Sequence, residues 1–368
     1  MNDLLAINWI DGMKINKSHF SHNDKLYAGL MQERMALLMK SFEYGLLPLH
    51  ESILQKPMVQ VEDHLLKVNF CFAVNRKGAI IKIDESDKIE YDLKSLDQVQ
   101  VNPGDQFIVV LSIESGTQLP WGEPKENEMP PRQPFVKPKY KINLVPESQV
   151  SSEDFANNFV CIARLKYADG TLVLDADYLP PCNQMRSYNA LLDRYTTITN
   201  ALTSIGDNTT TVLQKARSKK KRGEINDLAE STFYLMEKIV IYIAEHINAI
   251  RTSFQEESPM KLITFLSSLG KIILSSLMCL RSQDKEALLR YYESHLGLAP
   301  HQFESDMKEL SQLVYEPLKA TQTFELAIKH LTMLKNFASK ATQLEFHSVE
   351  RVDVVTESKV ERKKLDIF

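Results

Sequence analysis

Residue types that bind metal ions are sparse in this sequence, and their most suggestive grouping lies close to the start of the chain. His19 and His22 would share one face of a helix, and Asp24 follows them. No other part of the sequence supplies a convincing further ligand, and a helix that begins at Ser21 would use Asp24 at its cap. We therefore predict a structural or surface role for these three residues, and no metal site.

A run of basic residues near the middle of the chain has the charge that phosphate groups require. The run consists of Arg217, Lys219, Lys220, Lys221 and Arg222. No aromatic side chain that could stack on a base interleaves with it, and a glycine follows directly. The pattern favours a solvated loop between two long helices. A coiled-coil protein that binds nucleic acid through Arg217–Arg222 is kept as an alternative, although nucleic acid is not the partner that we expect.

Sequence motifs of the common catalytic sites do not occur in the chain. It lacks the phosphate-binding loop, the dinucleotide fingerprint, the nucleophile elbow and the zinc-protease pattern. Its four cysteines are isolated from one another, so we interpret them as reduced apolar residues: Cys71, Cys161, Cys182 and Cys279. These observations predict a protein that is not an enzyme and that uses no cofactor and no small-molecule substrate.

The composition is that of an ordinary globular protein. The chain has 368 residues, of which 43% are hydrophobic and 25% are charged, and a length of this size favours two domains. A net charge of -4 gives no general attraction to nucleic acid or to an anionic membrane. The N-terminus lacks the basic and then apolar pattern of a secretion signal, so we expect a cytoplasmic protein.

Two regular apolar patterns organise the run from Asn183 to Phe254. Their spacing alternates between three and four residues, which is typical of helices packed as in a coiled coil. A second, parallel stripe accompanies the second pattern, and two stripes on one helix need partners on two sides. This second stripe consists of Ile225, Leu228, Thr232, Leu235, Ile239 and Tyr242. One partner can be a neighbouring helix, and we predict that the other is a second copy of the chain. The predicted oligomer interface is Phe233, Met236, Val240, Ile243, Ile247, Ile250 and Phe254.

The two halves of the chain differ in their predicted secondary structure. Residues 1–181 carry short alternating patterns and turns, which indicate an antiparallel β-sandwich with one early helix. Residues 182–345 indicate a helical bundle, so the predicted class is α+β. The proline-rich segment 119–146 is interpreted as a long loop at the edge of the sandwich. Residues 346–368 form a tail that is too short to make a domain of its own.

Apolar residues near the N-terminus are candidates for binding a partner. We predict a short strand over Ile7–Ile15 with a turn at Asp11-Gly12, and Trp9, Met13, Ile15 and Phe20 as the anchors. Aromatic residues dominate cores and interfaces alike. Burial of Trp9 in its own sandwich is therefore an equally good interpretation.

Short groups of residues, taken in chain order, match the pattern of one known protein family. The opening of the chain contributes Trp9, Asp11, Gly12, Met13, Ile15, His19, Phe20 and Asp24. Further groups are Tyr44-Gly45-Leu46, Ala163-Arg164-Leu165, Leu172-Val173-Leu174-Asp175, Tyr178-Leu179-Pro180-Pro181, and Pro259, Leu262, Leu266 and Leu269-Gly270. In these residues the chain resembles the TssK family of type VI secretion baseplate proteins. Lys17-Ser18 and Asp11 depart from the family pattern, as in a distant member.

The resemblance implies a homotrimer with a β-sandwich shoulder and a helical neck that holds the trimer together. It also implies binding to the baseplate proteins TssF and TssG, near the inner membrane. The family continues into a C-terminal head domain that contacts the membrane complex. Here we expect the tail 346–368 in its place, as a possible contact to a membrane-complex adaptor. A phage-type receptor-binding or fibre-adaptor protein shares this architecture and is the other alternative.

Overall fold

A computed structural model gives the fold of the chain. It describes residues 5–50, 53, 56–96, 104–150, 153–168, 170–221, 227–297 and 299–344. Strands fill the first half of these ranges and helices fill the second half, so the predicted α+β class is confirmed. The predicted tail 346–368 lies outside the described residues.

Short strands in the first half pair into three antiparallel sheets. Their orders are β1-β4-β5, β2-β3-β6 and β10-β9-β7-β8. The strands are β1 (Gly45–Leu46), β2 (Val59–Glu62), β3 (Leu65–Val68), β4 (Cys71–Val74), β5 (Ile80–Ile83), β6 (Ile89–Asp92), β7 (Gln106–Trp121), β8 (Phe135–Pro146), β9 (Val160–Ala168) and β10 (Thr171–Leu174).

Strand β7 is the centre of the largest sheet, as its continuous apolar run from Phe107 to Ile113 predicts. It pairs with β9 on one side and with β8 on the other. Side chains alternate between the two faces of a strand. Val109 accordingly belongs to the main core, whereas Ile108 and Val110 belong to a smaller cluster on the opposite face. Burial on both faces explains why this strand shows no polar alternation.

The proline-rich segment is largely a β-hairpin, so its interpretation as a long loop holds only for residues 122–134, which connect the two strands. Pro138 and Pro146 lie in β8, which is the edge strand of its sheet. Pro120 lies in β7 beyond Gln106–Leu111, the part of that strand that β9 covers. Proline has no amide hydrogen to donate to a neighbouring strand. A strand therefore tolerates proline at an edge, or beyond the stretch that a neighbour covers.

The second half contains most of the helices. The helices of the described ranges are α1 (Lys17–Leu38), α2 (Glu153–Asn158), α3 (Asn189–Lys221), α4 (Asp227–Thr252), α5 (Pro259–Met278), α6 (Ser282–Leu296), α7 (Pro300–Ser311) and α8 (Ala320–Ala341). The predicted start of α5 is confirmed, because the Ser258 side chain caps it and Pro259 occupies its first turn. Helix α1 begins at Lys17 rather than at Ser21, because Asn16 accepts the amide of Ser18 and caps the helix first.

Helix α5 is the one helix in the described ranges that is long and apolar enough to cross a membrane. Half of its apolar window is buried inside the structure, where α5 packs against α4 and α7. At Gly270 a β-carbon would lie 2.8 Å from the amide nitrogen of Ser311, so α5 and α7 approach too closely for any side chain there. Its apolar composition is therefore the composition of a helix in a packed core.

The β half and the helical half are joined at the segment 178–183. The amide of Leu46 donates to the carbonyl oxygen of Pro181 at 2.8 Å, and the amide of Asn183 donates to the carbonyl of Leu46 at 2.9 Å. The amide of Leu179 donates to Oγ1 of Thr321 in α8 at 2.8 Å. Buried side chains from both halves form one contiguous cluster, so the two halves share a core.

Gly45 permits this junction, and we predict that Gly45→Ala destabilises the protein. Its φ of 108° is unfavourable for a residue with a side chain, and a β-carbon would lie 2.0 Å from the Pro181 oxygen. We expect a loss of roughly 3 kcal/mol of unfolding free energy, measured by urea denaturation. Gly116→Ala is the matched control, because it has a φ of 78° with nothing within 4 Å, and we expect it to lose roughly 1 kcal/mol. Equal losses would show that the contact with Pro181 does not constrain the fold.

A group of charged side chains connects β9 and β10 beside the junction. The Arg164 guanidinium contacts Asp175 at 2.6 Å and Glu147 at 3.0 Å, and Lys166 contacts Asp175 at 2.9 Å. Burial would raise the pKa of the Asp175 carboxyl, but the hydrogen bonds from Lys166 and Arg164 outweigh burial and hold the pKa below its ordinary value. The folded state therefore favours the ionised carboxylate.

We predict that Asp175→Asn removes part of the acid sensitivity of folding. A lowered pKa contributes stability above the carboxyl's unfolded value of about 3.9, and this contribution disappears as the pH falls through the folded value. In urea denaturation we expect the variant to be less stable by roughly 1–3 kcal/mol at pH 7, with the difference shrinking below about pH 4. The control is Asp177→Asn, whose carboxylate is mostly exposed. A difference that stayed constant down to pH 3 would contradict the assignment.

Candidate partner-binding and oligomer surfaces

The N-terminal segment before α1 lies outside the sheets. The turn at Asp11-Gly12 is present, but the predicted strand over Ile7–Ile15 is wrong, since these residues have no strand pairing within the described ranges. Instead the segment contacts α1: the ring of Trp9 lies 5.8 Å from the ring of His19, and Nε2 of His22 donates to the carbonyl of Leu5 at 2.6 Å. These contacts hold the segment against α1, and the side chains of Trp9, Ile10 and Ile15 are exposed to solvent.

The predicted anchors lie on this segment and on the first turn of α1. Trp9 is 50% exposed and Phe20 is 60% exposed, Ile15 is exposed, and Met13 is half-buried. The alternative in which Trp9 fills its own sandwich is therefore wrong. Large apolar side chains left in water at this density are typical of a surface that binds a partner. Binding through these four residues stays a prediction.

Helix α1 extends the same surface. Phe20, Tyr27, Met31 and Leu38 recur at helical spacing on one face, and all four are exposed. The spacing of Tyr27, Leu30, Met31 and Leu38 was visible in the sequence, but spacing shows that residues share a face and not whether that face is covered. We call the following set the N-terminal apolar surface: Leu5, Trp9, Ile10, Ile15, Phe20, Tyr27, Leu30, Met31, Leu37 and Leu38.

The opposite side of α1 fixes the helix to the sheets. Every residue of α1 is described, and Leu26 is the one that is buried. A β-carbon at Gly78, in the turn between β4 and β5, would lie 2.6 Å from the carbonyl oxygen of Gln32. The helix backbone thus rests on a glycine turn, with its apolar face directed away from the core.

The predicted oligomer interface packs mostly within the chain. Met236, Ile243, Ile250 and Phe254 are buried in a single copy. Helix α3 covers this stripe, and the Tyr195 hydroxyl donates to the carbonyl of Ile250. These four positions therefore have a partner without a second copy.

The second stripe of α4 also has partners within the chain. The Tyr292 hydroxyl of α6 donates to Thr232 at 3.2 Å, and the ring of Tyr242 stacks on Phe265 of α5 at 5.0 Å between centroids. The inference that two stripes require a second copy was wrong, because a helix inside a bundle has neighbours from its own chain on both sides.

One apolar face of α4 nevertheless remains partly exposed at the surface of the bundle, although its half-buried residues also pack against the core. Phe233, Val240 and Ile247 of the predicted set are half-buried. Ile241, which is 47% exposed, and Ala244 adjoin them. Assembly through α4 stays a prediction, now restricted to this outer face.

The basic run and the histidine pair have local structural roles. Residues 217–221 form the last turns of α3, so the predicted loop was wrong there, and Arg222 lies outside the described residues. Arg217 stacks over Phe233 and lies 3.6 Å from Glu237. Nδ1 of His19 accepts the amide of Asn16 at 3.2 Å, which completes the cap of α1 and confirms a structural role for this histidine.

Comparison with known proteins shows a similar fold in solved structures of TssK. No protein-family model matches the sequence, and no curated protein matches it. TssK of the EAEC type VI secretion system, solved with a nanobody, has a TM-score of 0.52 at 13% identity over 87% of this chain and 69% of that chain. A chain of the TssK-TssF-TssG baseplate subcomplex has a TM-score of 0.50 at 12% identity over 90% of this chain and 98% of that chain.

A crystal structure of TssK is also similar, with a TM-score of 0.44 and 13% identity; the match spans 77% of this chain and 63% of the TssK chain. At these identities the comparisons show the fold alone. The chain thus has a TssK-like fold, in agreement with the resemblance of the short motifs.

We predict that the chain forms a homotrimer and that charged residues introduced on the outer face of α4 dissociate it. Ile241→Asp combined with Ala244→Asp would bury unpaired carboxylates between copies, at a cost of several kcal/mol, while leaving the core of a single copy intact. The measurement is light scattering: we expect the wild-type mass of three chains to fall to that of one. Val314→Asp is the control, because Val314 is exposed and lies after α7. A doubly charged variant that keeps the mass of three chains would exclude this face.

Proposed function

We propose that the chain is a structural component of a type VI secretion baseplate. It acts as a homotrimeric adaptor that binds TssF and TssG and connects the baseplate to the membrane complex. The observation that carries the proposal is the TssK-like fold combined with the N-terminal apolar surface. In the solved subcomplex, TssK is assembled with TssF and TssG. A protein of this kind works through contact surfaces and not through catalysis.

The chemistry of the N-terminal apolar surface supports binding to a protein. Apolar groups transferred from water into an interface contribute about 25 cal/mol per Å², and aromatic anchors such as Trp9 and Phe20 each bury a large area. Six of its ten residues lie on helix α1, whose backbone packs against the Gly78 turn, so this part of the surface is held in place before a partner binds. An ordered surface loses less conformational entropy on binding than a flexible one.

The location follows from the same proposal. A baseplate adaptor of a type VI system works on the cytoplasmic side of the inner membrane, where it meets TssF and TssG.

The test is co-purification with the TssF and TssG proteins from the same genome. We predict that Phe20→Ser weakens the complex by about thirtyfold, because the loss of one central aromatic anchor costs roughly 2 kcal/mol. Phe135→Ser is the matched control: Phe135 is also a phenylalanine, is 67% exposed, and lies on the β7–β8 hairpin away from α1.

Circular dichroism and light scattering on both variants check that the fold and the oligomer mass are those of the wild type. Wild-type protein that captures neither TssF nor TssG would refute the proposal. If the wild type captures TssF and TssG and both variants lose the same amount of affinity, the N-terminal apolar surface is not the binding site.

A further inference from the structure

A histidine at the contact between α7 and α8 has an environment that the proposed function does not explain. The ring of His330 in α8 is fully buried. Its Nδ1 lies 3.3 Å from Oδ1 of Asp306, and its Nε2 lies 3.2 Å from Oε2 of Glu309. Neither ring nitrogen makes a hydrogen bond with any residue that the structure describes.

The chemistry of this grouping favours a bound cation. A neutral imidazole carries one N–H group and one nitrogen lone pair. Ionised carboxylates only accept hydrogen bonds, so the lone pair of the ring faces an oxygen that cannot donate to it. A buried contact of this kind is unfavourable unless a positive charge lies between the two atoms.

The distances fit a shared metal ion. A Zn²⁺ ion lies about 2.0–2.2 Å from a histidine nitrogen or a carboxylate oxygen, so two ligand atoms of one tetrahedral ion are roughly 3.3 Å apart. The separation between Nε2 of His330 and Oε2 of Glu309 is 3.2 Å. One donor atom from each of His330, Glu309 and Asp306 lies within 4.8 Å of the other two.

We propose that His330 and Glu309 bind a divalent transition-metal ion of the zinc type. Nε2 of His330 and the Glu309 carboxylate are the ligands, and water completes the coordination. Asp306, whose Oδ1 lies 3.3 Å from Nδ1, would accept the Nδ1–H group once the ion is bound and would so fix the orientation of the ring, the arrangement that metal-binding histidines commonly have. Asp306 is itself held by Gln302, whose amide donates to Oδ1 at 3.0 Å.

The position of the site indicates how the ion enters and what it does. The Glu309 side chain is 52% exposed, whereas the other two side chains are buried, so the ion reaches Nε2 from the side of Glu309. Glu309 belongs to α7 and His330 to α8. A bound ion connects these two helices and stabilises the end of the bundle by mass action.

The test is titration of the purified chain with ZnCl₂ by calorimetry, with CoCl₂ as a probe whose visible absorption reports the ligands. We expect one ion per chain and a melting temperature that rises with Zn²⁺. Glu309→Gln removes a ligand from an exposed side chain, and we expect the loss of binding and of the cobalt spectrum. Asp306→Asn should weaken binding by about 10–100-fold, since it removes the group that orients the ring.

Glu325→Gln is the matched control, because Glu325 is an exposed carboxylate on α8 that does not belong to the grouping. We expect it to bind Zn²⁺ as the wild type does. Wild-type protein that binds no Zn²⁺ would overturn the proposal. Equal affinity in wild type and Glu309→Gln would overturn it as well.

Discussion

The close approach of Gly45 to the carbonyl of Pro181 is the constraint on which the rest of the structure depends. The backbones of β1 and of the segment before α3 exchange hydrogen bonds there, at a separation that leaves no room for a side chain. The sheets are thereby fixed to the start of the long helix α3. On the other side of this segment, Thr321 of α8 accepts the amide of Leu179. Both the first and the last helix of the bundle thus meet the β half at one place.

A rigid junction has a consequence for the surfaces on either side of it. The buried residues of the two halves form one cluster, so force applied to the sheets is transmitted to the helices through packed side chains. The N-terminal apolar surface and the outer face of α4 lie on opposite halves of this rigid unit. The proposed adaptor role uses both surfaces: the N-terminal apolar surface to bind TssF and TssG, and the outer face of α4 to hold the copies together.

Local features of the fold could be predicted from the sequence because local chemistry determines them. The β9–β10 hairpin, the central position of β7 and the cap of α5 at Ser258 and Pro259 follow from patterns of a few residues. Features that depend on which other element packs against a helix or strand could not be predicted. The stripes of α4 indicate that partners exist, but the partners are α3, α5 and α6 of the same chain. In the same way, the spacing in α1 identifies a face but does not show that it is exposed.

The candidate sites also contain residues that the sequence identifies and residues that only the packing identifies. Trp9, Ile15 and Phe20 could be singled out by type and position, whereas Tyr27, Met31 and Leu37 became candidates only when their exposure was known. His330 lies more than twenty residues from Asp306 and Glu309, with no motif spacing that connects them. Only the packing of α8 on α7 brings a lone histidine to a pair of carboxylates at positions i and i+3.

Hydrogen–deuterium exchange of the chain, with and without TssF and TssG, locates the surface that binds them, since it reports on the backbone of each element in the intact protein. We predict slower exchange over residues 5–38 when TssF and TssG are present, and unchanged exchange in the β7–β8 hairpin. Unchanged exchange over residues 5–38, in a sample where the complex has formed, would contradict the assignment of the N-terminal apolar surface as the baseplate contact.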